Sequence, residues 1–134
     1  MTKIVDIEGV GPAYAKKLSG AGVKSVETLL KRGASPKGRE ELGKATGIDH
    51  KLILEWVNHA DLYRIRGVGS EYSDLLEEAG VDTVVELSKR DPKNLTAKMA
   101  ENNSKKKIVR RLPTEKQVAN WVSQAKKLPR VVNY

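Results

Sequence analysis

The sequence predicts an all-α protein built from two similar units in tandem. The segment Ile7–Tyr14 recurs 58 residues later as Ile65–Tyr72. Proline, glycine and short polar residues stand where helices are expected to begin and end. No segment shows the sustained alternation of apolar and polar residues that a half-buried strand requires. We therefore expect essentially no sheet, and an internal duplication packed as one compact module.

The repeat extends beyond the glycine-containing segment. Trp56-Val57 corresponds to Trp121-Val122, now at an offset of 65. Self-similarity over this length is typical of repeated structural units. We expect a first repeat at 1–62, a second at 63–128 and a tail at 129–134 that either folds back or frays. The growth of the offset by seven residues predicts a basic insertion near 102–111.

Helix boundaries follow from local signals. Proline costs no hydrogen bond at the first helical position, and serine, threonine and aspartate accept from the first free amides. A helix starting at Pro12 should end near Gly20 or Gly22. Further starts are expected at Ser25, Ser35-Pro36, Asp49, Asp91-Pro92 and Thr114, which forms a capping box with Gln117.

Charge and composition limit the class of partner. The 134 residues carry a net charge of +8 and include no cysteine, which excludes disulfides and a cysteine nucleophile. Residues 1–62 hold 10 basic and 8 acidic groups, whereas residues 63–134 hold 15 and 9. This surplus favours polyanions such as nucleic acid. Without a signal-peptide pattern or an apolar run of spanning length, we expect a cytoplasmic protein with no membrane partner.

The doubled Gly-Val-Gly turn is the sequence feature best suited to bind a ligand. Glycine lets a ligand approach the main chain closely, while the central valine anchors the turn in the core. A helix that begins just afterwards presents free N–H groups and the positive end of its dipole. Such a turn can hold a phosphate. The alternative is that each turn only lets two helices pack at a tight angle.

These segments resemble the helix-hairpin-helix family, whose signature is apolar-x-Gly-apolar-Gly-x-x-x-Ala. Ile7-x-Gly9-Val10-Gly11 with Ala15 matches it, and Ile65-x-Gly67-Val68-Gly69 departs only by Ser73. The chain is similar over most of its length to small tandem proteins of this family, many without assigned function. The resemblance implies sequence-independent binding of double-stranded DNA, with phosphates on the hairpin amides of Gly9, Gly11 and Ala13 and of Gly67, Gly69 and Glu71. It also allows a monovalent cation on the carbonyls of Val5, Ile7 and Val10, or of Tyr63, Ile65 and Val68; no other cofactor is expected.

The two repeats differ in the charge beside their turns. Lys16 and Lys17 follow the first turn, whereas Glu71, Asp74, Glu77 and Glu78 follow the second. We expect the first turn to be the better phosphate binder. Five more cations fall within seven residues, and they are read either as a phosphate-neutralising arm or as a solvated loop: Lys105, Lys106, Lys107, Arg110 and Arg111.

Other functions find less support in the sequence. His50 and His59 lack the spacing of paired metal ligands, so we expect no metal site. The sequence shows no catalytic motif either, and we expect no small-molecule substrate and no enzymatic activity. Trp56 and Trp121 lie on the apolar stripes of their helices and are expected in the core. The competing hypothesis is a scaffold module that binds another protein or a second copy of itself.

Overall fold

A computed structural model describes residues 2–134, which form eight α-helices. The prediction of an all-helical protein is confirmed, since the described residues include no strand and only one isolated bridge, Lys3 to Ser25. No helix in this range is long and apolar enough to cross a membrane. The helices, after a 3-10 turn at Ile4–Asp6, are α1 (Pro12–Gly20), α2 (Val26–Arg32), α3 (Pro36–Thr46), α4 (His50–Leu62), α5 (Ser70–Glu78), α6 (Val84–Ser88), α7 (Pro92–Lys105) and α8 (Glu115–Lys127).

The chain divides into two compact units. The first unit ends at Asp61 and also includes Val131–Tyr134, and the second runs from Leu62 to Arg130. Each has an apolar core of its own. In the second unit this core joins the glycine turn, α5, α6, α7 and α8 through residues such as Val68, Leu76 and Trp121.

The expected caps are present. The side chains of Ser25, Ser35 and Asp91 each accept from an amide in the first turn of the following helix, at 3.2, 3.0 and 3.0 Å. Thr114 and Gln117 exchange both bonds of a capping box, at 2.9 and 3.1 Å. These positions were predictable because the donor and acceptor lie within three residues of each other.

The same local packing recurs in both units. After α1, the amide of Val23 donates to the carbonyl of Leu18 at 2.9 Å, and after α5 Val81 donates to Leu76 at 2.8 Å. In each unit, an arginine at the end of the next helical stretch donates to a carbonyl of this turn. In the first unit, Arg32 donates to the carbonyl of Ala21. Its counterpart Arg90 donates to that of Gly80 at 2.9 Å.

The second unit is longer because of its third helix and the connection that follows. Helix α7 has 14 residues, against 11 in α3. The connection between α7 and α8 covers residues 106–114, whereas α3 and α4 are joined by residues 47–49 alone. Residues 102–105 are therefore helical, and the basic segment (residues 105–111) begins on the last residue of α7.

The C-terminal tail packs within the first unit. Val132 is buried, and the amide of Asn133 donates to the carbonyl of Ala34 at 2.8 Å. Arg39, itself 3% exposed, holds this junction by donating to the carbonyls of Gly33 at 2.8 Å and Asn133 at 2.7 Å. Burial lowers the pKa of the Arg39 guanidinium from its usual value. Within the described residues, carbonyl acceptors take the place of a carboxylate partner for this buried cation.

Candidate nucleic-acid interface

The first glycine turn (residues 7–11) is anchored in the core by its apolar residues. Val10 is fully buried, and its amide donates to the carbonyl of Ile7 at 3.1 Å. Gly11 precedes Pro12 and has φ +41° and ψ 171°, a conformation that side-chain-bearing residues rarely adopt. A Cβ on Gly11 would meet no atom within 4 Å, so the main chain there is open to solvent.

Three amides at this turn have no acceptor within the described residues. Gly9, Gly11 and Ala13 are exposed, and none of their N–H groups donates to an acceptor in residues 2–134. Pro12 brings no N–H, and the first helical bond runs from Ala15 to the carbonyl of Gly11 at 3.0 Å. The turn and the start of α1 therefore leave free donors near the positive end of the helix dipole.

Lysines on the same helix add charge. Lys16 and Lys17 are exposed, and the Nζ of Lys17 lies 5.8 Å from the ring centroid of Tyr14. That ring packs against Trp56 with centroids 5.1 Å apart and planes at 59°. Because Trp56 is buried, the Tyr14 ring rests on a fixed support, and the stem of Lys17 extends from a rigid helix.

The second glycine turn (residues 65–69) shares the anchor and the positive φ of its first glycine, +100° at Gly67 against +90° at Gly9, but differs at its last glycine. The amide of Val68 donates to the carbonyl of Ile65 at 3.1 Å, as in the first turn. Gly69, however, has φ −115° and ψ −156°, extended values that any residue adopts. Ser70 replaces Pro12 at the helix start, so the steric restriction that proline places on the preceding residue is missing. The two turns therefore present different main-chain surfaces.

Both tryptophans belong to the core, which confirms the prediction for them. Trp56 is 1% exposed and Trp121 is 3% exposed. The indole nitrogen of each lies under a glycine of the turn, 3.5 Å and 3.1 Å from where a Cβ on Gly9 or Gly67 would stand. The tryptophans thus support the turns from beneath and offer no ring face for base stacking.

The side chain of Asn103 holds the middle of the basic segment in place. Asn103, on the last turn of α7, accepts from the amides of Ile108 at 2.8 Å and Val109 at 3.0 Å. Its own amide group donates to the carbonyl of Val109 at 3.2 Å, and Val109 is buried in the second core. The main chain of the segment is therefore fixed at residues 108 and 109, while its five cations remain exposed.

Its cations differ in their partners. Lys105 pairs with Glu101 and Lys106 with Glu78, both at 3.4 Å between exposed groups. Lys107, Arg110 and Arg111 are also exposed and form no ion pair within residues 2–134. The charge available to a polyanion is therefore concentrated at the C-terminal end of the segment.

The acidic helix α5 lies beside this segment. Besides pairing with Lys106, Glu78 accepts through its carbonyl from Asn102 at 2.9 Å, and the hydroxyl of Tyr72 donates to the carbonyl of Arg111 at 3.0 Å. An exposed pair such as Lys106–Glu78 contributes little stability, but it does place positive charge next to one of the carboxylates that follow the second turn. Asp74 and Glu77 are half-buried on the same helix.

The fold and this surface define the protein as an all-helical chain whose first glycine turn exposes main-chain donors beside lysines. A model of a domain of unknown function, DUF4332, matches residues 8–128, and the chain belongs to that family. No curated protein and no solved structure matches it.

Sequence reasoning overlooked two groups of residues. Asn103 binds residues only five and six positions ahead, but no standard capping pattern marks this contact. The groove beside α8, formed with Asn120, Gln124 and Lys127, depends on contacts between distant segments. A signal for the groove was present in the repeat. At the aligned offsets, acidic Glu8 and Glu55 of the first unit are replaced by Arg66 and Asn120.

Proposed function

We propose that this chain is a tandem helix-hairpin-helix protein that binds double-stranded DNA without sequence preference. The observation that carries the proposal is the first glycine turn, where Gly9, Gly11 and Ala13 expose amides without an acceptor in the described chain. Main-chain amides at a helix start suit the phosphates of the DNA backbone. They carry no sequence code, because phosphates are the same at every base pair.

Lys16 and Lys17 support this role through their position. They stand on α1, whose first turn holds the free donors, and both side chains are exposed. Each lysine that neutralises a phosphate releases counterions from the duplex, which strengthens binding at low salt.

The second unit contributes mainly through the basic segment. Gly67 and Gly69 also have amides without an acceptor in the described residues, yet α5, which follows this turn directly, carries four carboxylates, the first of them at Glu71. These carboxylates disfavour a phosphate at the second turn. Lys107, Arg110 and Arg111, held on an ordered connection, carry the larger share of the second unit's attraction for DNA.

A mobility-shift titration with a duplex of random sequence tests the proposal. Lys16→Gln with Lys17→Gln should weaken binding about tenfold or more near 0.1 M salt, since two phosphate contacts are lost. Lys37→Gln with Lys51→Gln is the matched control, because these lysines are also exposed in the first unit but stand on α3 and α4. Equal affinity loss in both variants would show that net charge alone matters. No shift at low salt, together with a defined oligomer in solution, would favour the scaffold hypothesis.

A further inference from the structure

The second unit contains a basic groove beside its glycine turn and apart from the free amides. The groove has a volume of about 470 Å³ and lies between the segment that leads into the turn and the last helix. Its walls carry three cations and two side-chain amides but no carboxylate: Arg64, Arg66, Asn120, Gln124, Lys127 and Leu128. We call it the arginine groove.

One glutamine fixes the wall of the arginine groove. The Oε1 of Gln124 accepts from the amide of Arg66 at 2.8 Å, and its Nε2 donates to the carbonyl of Arg66 at 3.1 Å. The same Nε2 donates to the Oδ1 of Asn120 at 2.7 Å. Gln124 contacts Arg66 through its main-chain atoms and not through its side chain. It therefore fixes the segment that leads into the glycine turn and leaves the Arg66 side chain exposed.

A second arginine is oriented by the chain beyond α8. The Nη2 of Arg64 donates to the carbonyl of Pro129 at 2.7 Å. Arginine on an ordered support loses less conformational entropy when it binds a phosphate in bidentate geometry.

Packing does not explain these cations. The glycine turn rests on its tryptophan in the same way in both units, with tyrosine–tryptophan centroids 5.1 and 5.2 Å apart. Yet the positions aligned with Arg64, Arg66, Asn120 and Gln124 hold Asp6, Glu8, Glu55 and His59 in the first unit. The same fold is therefore compatible with the opposite charge, and packing does not require the positive charge of the second unit.

We propose that the arginine groove binds a phosphate group, with Arg66 and Lys127 supplying charge and the Nδ2 amide of Asn120 supplying a donor. Gln124, whose two Nε2–H groups already donate to Arg66 and Asn120, positions the wall. The phosphate belongs either to a nucleic-acid backbone or to a free phosphate compound. Both present the same anionic oxygens to the groove. This site is distinct from the main-chain donors of the first glycine turn and does not depend on them.

Titration of the labelled protein with inorganic phosphate, followed by NMR, tests the site. Sodium chloride at equal ionic strength serves as the reference. The Asn120 and Gln124 side-chain amides and the Arg66 amide should shift with phosphate and saturate. Arg66→Gln with Lys127→Gln should weaken phosphate binding about tenfold or more, since two charge-assisted bonds are removed. The variant should fold normally, because Gln124 holds the main chain of Arg66.

The control is Lys93→Gln with Lys116→Gln, two exposed lysines of the same unit that lie outside the groove. It should retain phosphate binding. Duplex DNA in place of phosphate separates the two sources: an affinity loss confined to the groove variant identifies a nucleic-acid backbone. Unchanged DNA affinity with saturable phosphate binding identifies a free phosphate compound. If neither ligand distinguishes the groove variant from the control, the proposal is wrong.

Discussion

Replacing the unpaired cations of the basic segment should reduce the salt dependence of DNA binding by a defined amount. The variant combines Lys107→Gln, Arg110→Gln and Arg111→Gln. These three side chains are exposed and form no ion pair in the described residues, whereas Lys105 and Lys106 already pair with carboxylates. The fold should persist, because Asn103 and Tyr72 hold this segment by its main chain.

The magnitude follows from counterion release. Each phosphate neutralised on B-DNA contributes about −0.9 to the slope of log K against log salt concentration, so three lost contacts should reduce the slope by about 2.7. Between roughly 50 and 200 mM salt, those contacts account for about a 40-fold loss of affinity in the unmodified protein. The variant should lack that part of the decline.

Fluorescence anisotropy with a labelled duplex of random sequence, repeated over this salt range, measures the slope. The matched variant replaces three other exposed lysines of the second unit, Lys93, Lys98 and Lys116, with glutamine. It changes the net charge equally and should keep most of the slope. Identical slopes for the two triple variants would refute the assignment of these contacts to the basic segment, even if DNA binding itself were observed.

Two further predictions concern the stability of the units. Gly11→Ala should destabilise the protein by about 1–3 kcal/mol because of its backbone conformation, whereas Gly69→Ala, whose extended backbone suits any residue, should change stability by less than about 1 kcal/mol. Urea denaturation of the pair measures this, and equal losses would contradict the difference between the turns. Arg39→Met should lower the free energy of unfolding by roughly 3 kcal/mol, because it leaves carbonyls of the tail junction without a donor. A decrease below about 1 kcal/mol, within the range of ordinary surface changes, would show that water replaces the guanidinium.

The helices could be predicted from the sequence because their signals are local. Pro12 and Pro36 occupy first helical positions, and Ser25 and Thr114 cap the helices that follow them. In each case the residues that define the boundary lie within one turn of it. The burial of Trp56 was predictable for a similar reason, since it lies on the apolar stripe of α4.

The surface could not be predicted in the same way, because it depends on pairs that are distant in sequence. Lys106 meets Glu78 across 28 residues, and Gln124 meets Arg66 across 58. Neither pair has a periodic signal that marks it beforehand. The glycine turns illustrate the same limit. Gly11 and Gly69 occupy matching positions but have different backbone angles, and the residue that follows is proline in one turn and serine in the other.

Charge is inverted between the units on both sides of the glycine turn. On the side that leads into the turn, Glu8 of the first unit corresponds to Arg66 of the second, and on the helix that follows, Lys16 corresponds to Asp74. The buried anchors, by contrast, are the same valines and tryptophans. If both turns held phosphate alike, like charges would be expected beside them. The inversion instead favours a division of roles, in which the first unit binds phosphate through its turn and α1, and the second through the arginine groove and the basic segment.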